Sequence, residues 1–224
     1  MNDAVFALVW IGVLTLGVTG CVLLHRWGLA TTYVRDLLHV GTGIWVFGWP
    51  LWSRLAWPLA IVLVALAATM VAPVLARHSS AATRVMTSFA AGDERWEGLV
   101  LYAASFAALT AGGLTCAPFP AAAGLLSLCL GDGIGGAVGR RFGRHRYRVP
   151  GGKQKSWEGS AVVAVAATAA ALIAAWWFGT HLGIGRAAGL GLAAALAEAL
   201  SPRGTDNVVL PVLVWVLAGA AGVV

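Results

Sequence analysis

Apolar residues in this chain run together in long blocks, and polar residues gather between them. A helix that crosses a bilayer needs about 17–25 mostly apolar residues. Residues 4–24 form the first such block, followed by 37–52, 55–76, 98–117, 118–139, 159–178, 184–200 and 208–224. The run 37–52 is short and ends near Pro50, the last two are slightly short, and 118–139 contains Asp132. The pattern predicts an all-α integral membrane protein with about eight transmembrane helices, seven being the lower count, in a single domain over residues 1–224. No internal repeat, low-complexity tail or soluble domain is evident.

Composition supports this reading. Of 224 residues, 59% are hydrophobic and 11% are charged, against roughly 25% charged in ordinary soluble chains. Mean hydropathy is +0.83. So few charges could not cover a soluble surface, which excludes a soluble enzyme, a disordered chain and a disulfide scaffold. Cys21, Cys116 and Cys129 have no CxxC spacing, so buried inert thiols are expected rather than zinc ligands or a disulfide framework.

Charge sets an expected orientation. With the N-terminus outside, the loops 25–36, 77–97, 140–158 and 201–207 face the cytoplasm and hold 13 of the 15 cations, leaving Arg54 and Arg186 outside. The excess of Lys and Arg on one side is the usual mark of cytoplasmic loops. The topology expected is therefore N-out and C-out, multi-pass in the cell membrane. Trp45, Trp49, Trp52 and Trp57 around one outer turn, and Trp176 and Trp177 before another, suit indoles at headgroup level. The first block has no basic residue before it and Arg26 after it, the pattern of an uncleaved span rather than a secretory signal.

Orientation does not explain the basic loop 140–158, where residues 140–155 carry seven cations and no acid. A polybasic tether to anionic lipid would need neither Asp132 within an apolar run nor the surrounding glycines. Intramembrane carboxylates are costly and usually functional. Gly131, Gly133 and Gly136 satisfy GxGxxG without a βαβ context, so a dinucleotide fold is not implied. Gly131, Gly135, Gly139 and Gly143 fall four apart, the spacing for close helix packing, within one chain or between two in a homo-oligomer. Arg35, His39, Asp132, Lys153, Lys155, Glu158, Glu198, Asp206 and Asn207 all map to the same membrane face. Dense cations over glycine-rich backbone suit several phosphate charges. Carboxylates among them suit Mg²⁺, or a base that takes a proton from an alcohol. Phosphoryl transfer to a lipid alcohol uses all three parts.

The string Gly131-Asp132-Gly133, Gly139-Arg140-Arg141-Phe142-Gly143, then Lys155-Ser156-Trp157-Glu158-Gly159-Ser160 resembles the signature of phytol kinases, dolichol kinases and CTP-dependent diacylglycerol kinases. Arg35 to His39 upstream, and Glu198 with Asp206, Asn207 and Pro211 downstream, fit the same family in the same order, so the motif-bearing part covers residues 35–211. The resemblance implies a CTP-dependent kinase that moves the γ-phosphate onto the hydroxyl of a prenol (phytol, geranylgeraniol or a polyprenol) or diacylglycerol at the cytoplasmic leaflet. Arg35, Asp132 and Gly139 match positions the family needs for activity. Two departures stand out: family members often have Arg-Lys where this chain has Arg35-Asp36, and often a second acid at the position of Gly136.

On this reading Asp132, Arg35 and His39 are catalytic. Gly131, Gly133, Gly139, Arg140, Arg141, Arg144, Lys153, Lys155 and Ser156 bind the nucleotide phosphates. Asp132, Glu158 and Asp206 hold Mg²⁺, with Glu198, Asn207 and Ser160 as supporting polar groups. The expected partners are CTP, a lipid alcohol and the bilayer, and no nucleic acid. A cytidylyltransferase acting on a lipid phosphate is the alternative. A carrier of anionic substrates is less favoured, because its charges should sit near the midplane.

Overall fold

In the computed structural model the described residues are 2–90, 96–149, 154–202 and 204–220. They form an almost wholly helical bundle: α1 Asp3–Arg26, α2 Thr31–Thr42, α3 Ala56–Leu75, α4 Ser80–Phe89, α5 Trp96–Thr115, α6 Pro118–Leu126, α7 Gly133–Phe142, α8 Trp157–Trp177, α9 Ile184–Leu200 and α10 Asp206–Ala220. Five helical stretches among them are long and apolar enough to cross a membrane, and α10 is a shorter apolar helix. The chain is an all-α multi-pass membrane protein, with one small hairpin among the described residues.

Residues 37–52 do not form one straight α-helix. α2 gives way at Gly43 to a 3₁₀ stretch, Gly43–Leu51. Gly43 and Gly48 each lie against a neighbour: an added methyl would stand 3.1 Å from Cys129 Cβ and 2.8 Å from the Trp10 ring respectively. The tighter winding lengthens the segment. As an α-helix, residues 37–51 would reach about 22 Å, whereas this mixture reaches about 27 Å, close to the ~30 Å hydrocarbon core.

The stretch Pro118–Phe142 is the centre of the bundle. It is the most buried of the five long stretches, at 67%, and α10, α5, α8 and α2 pack around it. Between α6 and α7 it widens into a π-helical turn over Ser127–Asp132. Such turns insert one extra residue and recur at functional sites. Here the turn ends on Asp132.

The described residues of the basic loop include the end of a helix and a hairpin. α7 continues to Phe142 and places Arg140 and Arg141 in its last turn, where cations suit the helix dipole. Strands β1 Arg146–Arg148 and β2 Gln154–Ser156 then pair antiparallel, with Tyr147 opposite Lys155. Ser156 ends β2 and caps α8, its Oγ accepting from Gly159 N at 3.1 Å. The expected loop 77–97 also contains the amphipathic helix α4, which packs on α1, α2 and α3 and buries Phe89.

Two expectations need correction. Trp45 and Trp49 are core residues, 3% and 2% exposed; Trp45 donates to Thr110 Oγ1 at 2.9 Å, and Trp49 fills the space that Gly113 leaves. Trp57, Trp176 and Trp177 remain exposed, as an interfacial position requires. Cys21 and Cys129 are buried free thiols, but Cys116 is exposed, because it follows the end of α5 in the short turn before Pro118.

Candidate functional site

The site gathers along α2, where α5, α8 and α10 begin, where α9 ends and where the π turn stops. His39 sits at its centre and is only 3% exposed. Its Nδ1 lies 2.8 Å from Arg35 O one turn back, and its Nε2 lies 3.1 Å from Asn207 Oδ1 and 3.6 Å from Asp132 Oδ2. The Tyr102 ring covers it at 4.2 Å between centroids. The Tyr102 hydroxyl reaches Thr42 Oγ1 and, at 3.4 Å, Cys129 Sγ. Asn207 is fixed in turn, its Nδ2 donating to Gly98 O at 3.1 Å and Gly204 O at 3.3 Å. Gly98 lies close under Arg35: an added methyl would stand 3.2 Å from a guanidinium nitrogen, which would have to shift slightly to admit it. Arg35 is thereby placed in the same group.

Asp132, Glu198 and Asp206 each present a carboxylate oxygen within 4.8 Å of the others. Three acids this close repel one another unless cations compensate. Lys155 Nζ pairs with Glu198, while Lys155 and Arg35 are cations near Asp132, with His39 beside it. Oxygen-only donors at this spacing also suit a hard divalent ion.

Beside the carboxylates lies a cleft of about 180 Å³, and Gly139, Arg140, Arg146, Lys155, Ser156 and Glu198 are among its lining. Arg140 forms an ion pair with Asp36. Burial pushes the Asp36 carboxyl up, and the Arg140 guanidinium pulls against that shift. The floor is glycine: Gly135 and Gly139 lie on α8 at Val163 and Gly159. The four-spaced glycines therefore pack within one chain, bringing α7 backbone against the start of α8.

The structure brings together most of the residues expected from sequence, and redistributes some. Arg35, His39, Asp132, Asp206, Glu198 and Asn207 form one cluster, with Gly139, Arg140, Lys155, Ser156 and Ser160 beside it along the cleft. Glu158 stands outside the carboxylate cluster and binds His145, Oε1 to Nδ1 at 2.6 Å, so Glu198 completes the acid group instead. Ser160 accepts or donates a 2.6 Å hydrogen bond with Tyr147 OH. Gly131 packs against Val163 and Ala167, and Gly133 against Val40 and His39; both serve helix contact. Arg141 lies over the Phe142 ring, and Arg144 is exposed; neither is among the residues lining the cleft. Lys153 lies outside the described residues.

Sequence reasoning gave no role to Arg146, Gln154, Asp36 or the Thr42–Tyr102–Cys129 contact. The alternation of β1 and β2 was too short to signal a hairpin. Asp36 registered only as a missing cation, because its partner Arg140 lies 104 residues further along the chain and leaves no local trace.

A known protein with the same sequence character closes the case for family. The chain is 32% identical over 194 residues to the phytol kinase of Synechocystis sp., an alignment covering 84% of this chain and 79% of that protein. No family model and no solved structure matches. The alignment spans most of both chains, and part of the signature, Arg35, His39, Asp132, Glu198, Asp206 and Asn207, gathers at one place. The chain belongs to the lipid-alcohol kinase family that includes phytol kinase.

Proposed function

We propose that this protein is a CTP-dependent prenol kinase acting at the cytoplasmic leaflet, in the N-out, C-out orientation. The observation that carries the reading is the junction of a cationic, glycine-floored cleft with the Asp132–Glu198–Asp206 group. Arg140, Arg146 and Lys155 hold the donor's phosphates, with Ser156 at the start of α8 as a further donor of hydrogen bonds. Arg35 and His39 stand beside Asp132, where the transferring phosphoryl group meets the substrate hydroxyl.

The residues fit Mg²⁺. Asp132, Glu198 and Asp206 offer only oxygen, within 4.8 Å of one another; when bound, the ion would neutralise donor phosphate oxygens as charge moves to the leaving group. Asp132 takes the hydroxyl proton. The alcohol oxygen then bonds to the γ-phosphorus, the bond from that phosphorus to the β–γ bridging oxygen breaks, and CDP leaves. His39, held on both ring nitrogens, supplies a fixed polar edge beside the reacting groups. The tail of the alcohol stays in lipid between the helices.

The test is a matrix of nucleotide donors against phytol, farnesol, geranylgeraniol, dolichol and diacylglycerol, with products weighed by mass spectrometry. CTP with a prenol should give the monophosphate and CDP. Pyrophosphate in place of CDP would assign cytidylyl transfer instead, and no labelled lipid from any pairing would overturn the reading.

A further inference from the structure

The acid at position 36 has a task that the site's other residues do not cover. Arg140 leaves the last turn of α7, and its guanidinium meets two groups from α2: the Asp36 carboxylate in an ion pair, and the Tyr33 ring, 5.3 Å from the guanidinium carbon to the ring centroid. The Asp36 side chain is the sheltered partner at 17% exposure, while Arg140 is 38% exposed and still lines the cleft. The path between them runs past Gly136. A methyl there would stand 3.2 Å from one Arg140 guanidinium nitrogen and 3.5 Å from Asp36 Oδ1. Bare backbone at Gly136 gives the side chain room to lie across α7 toward α2.

Guanidinium is a planar fork with five N–H donors. A carboxylate that takes one edge fixes the plane and leaves other donors for a second oxyanion. We propose that Asp36 is a positioning residue for donor binding: it holds the Arg140 guanidinium, backed by Tyr33, so that the free edge meets a phosphate in the cleft. The proposal rests on the reading of the cleft as the donor site. It assigns to α2 a second role. One face of that helix carries Arg35 and His39 to the carboxylates, while Tyr33 and Asp36 aim a cation from a different helix. The ligand class is a polyphosphate anion.

Binding of inorganic tripolyphosphate to the purified full chain, followed by calorimetry, tests this without any lipid alcohol. Asp36→Ala should weaken binding about ten-fold, the scale of one charge-assisted hydrogen bond. In an Arg140→Ala background the same substitution should change nothing further, because Asp36 acts through Arg140. Asp36→Glu should recover part of the loss, and Asp36→Asn, nearly isosteric, serves if the alanine variant does not fold. In turnover assays the donor KM should rise while the alcohol KM and kcat hold. Equal losses in both backgrounds, or binding that is unchanged or tighter in Asp36→Ala, would overturn the proposal. If the wild type binds tripolyphosphate but phosphorylates no alcohol, the kinase reading fails and the positioning role stands.

Discussion

The two ends of the bundle are built from opposite materials. At one end, Asp132, His39, Asn207, Glu198 and Lys155 are tied by hydrogen bonds and ion pairs among α2, α9, α10 and the π turn. At the other, Phe6, Trp10, Trp45, Trp49, Trp52 and Phe178 meet ring to ring, with Phe6 and Trp52 centroids 4.4 Å apart and Trp10 and Trp45 4.8 Å apart. The aromatic end tolerates buried indole N–H groups without partners at Trp10, Trp49 and Trp52. The polar end gives His39 and Asn207 specific partners. Shape holds one end together and directional bonding organises the other, so damage to each should show in a different measurement.

The sharpest separation is expected from Asp132→Asn. Loss of a general base typically lowers turnover by about 10²–10⁴-fold, and this variant should do so with its melting temperature in detergent little changed. Trp49→Ala is the converse. Emptying a site that is 2% exposed should cost about 3–5 kcal/mol of stability, read by thermal or denaturant unfolding, while protein that stays folded keeps its donor KM. A drop in kcat per folded molecule would show that the two ends are coupled. Asn207→Ala comes next: it frees one edge of His39 and should lower kcat by about ten-fold, the scale of one buried hydrogen bond, with both KM values nearly constant. Trp176→Phe should do least. Trp176 is 76% exposed, and such surface changes usually stay within about 0.5 kcal/mol.

The same contrast explains what the sequence made legible. Long apolar blocks announce helices directly, and the lone Asp132 within one of them marks the site, because a carboxylate there needs a reason. Gly139, Arg140, Lys155 and Ser156 share a cleft, a grouping that their common membrane face and the family signature suggested. Contacts between distant segments left no such trace. Nothing local tells that Glu198 rather than Glu158 joins Asp132 and Asp206, since His145 claims Glu158 only once the hairpin forms. The tryptophans misled for a related reason. Trp45, Trp49, Trp52 and Trp57 near one turn read as a headgroup belt, yet Gly113 on α5 admits the Trp49 ring and Thr110 takes the Trp45 N–H, drawing these two into the core. The 3₁₀ stretch was hidden too, because its winding follows from close packing of Gly43 and Gly48 rather than from any apolar period.

The π turn over Ser127–Asp132 makes the helix uneven in its response to changes of length. It holds one residue more than an α-helical turn of the same rise. Deleting one residue within 127–131 would let the helix rewind as continuous α with the segments on either side still aligned, so Asp132 and the glycine row would keep their facings. A deletion in α7, which holds no extra residue, would instead turn everything beyond it by about 100° and carry the later glycines of the row off α8, although each remaining side chain survived unaltered. One codon lost before Asp132 is taken up in the turn; one lost just after it dismantles the cleft.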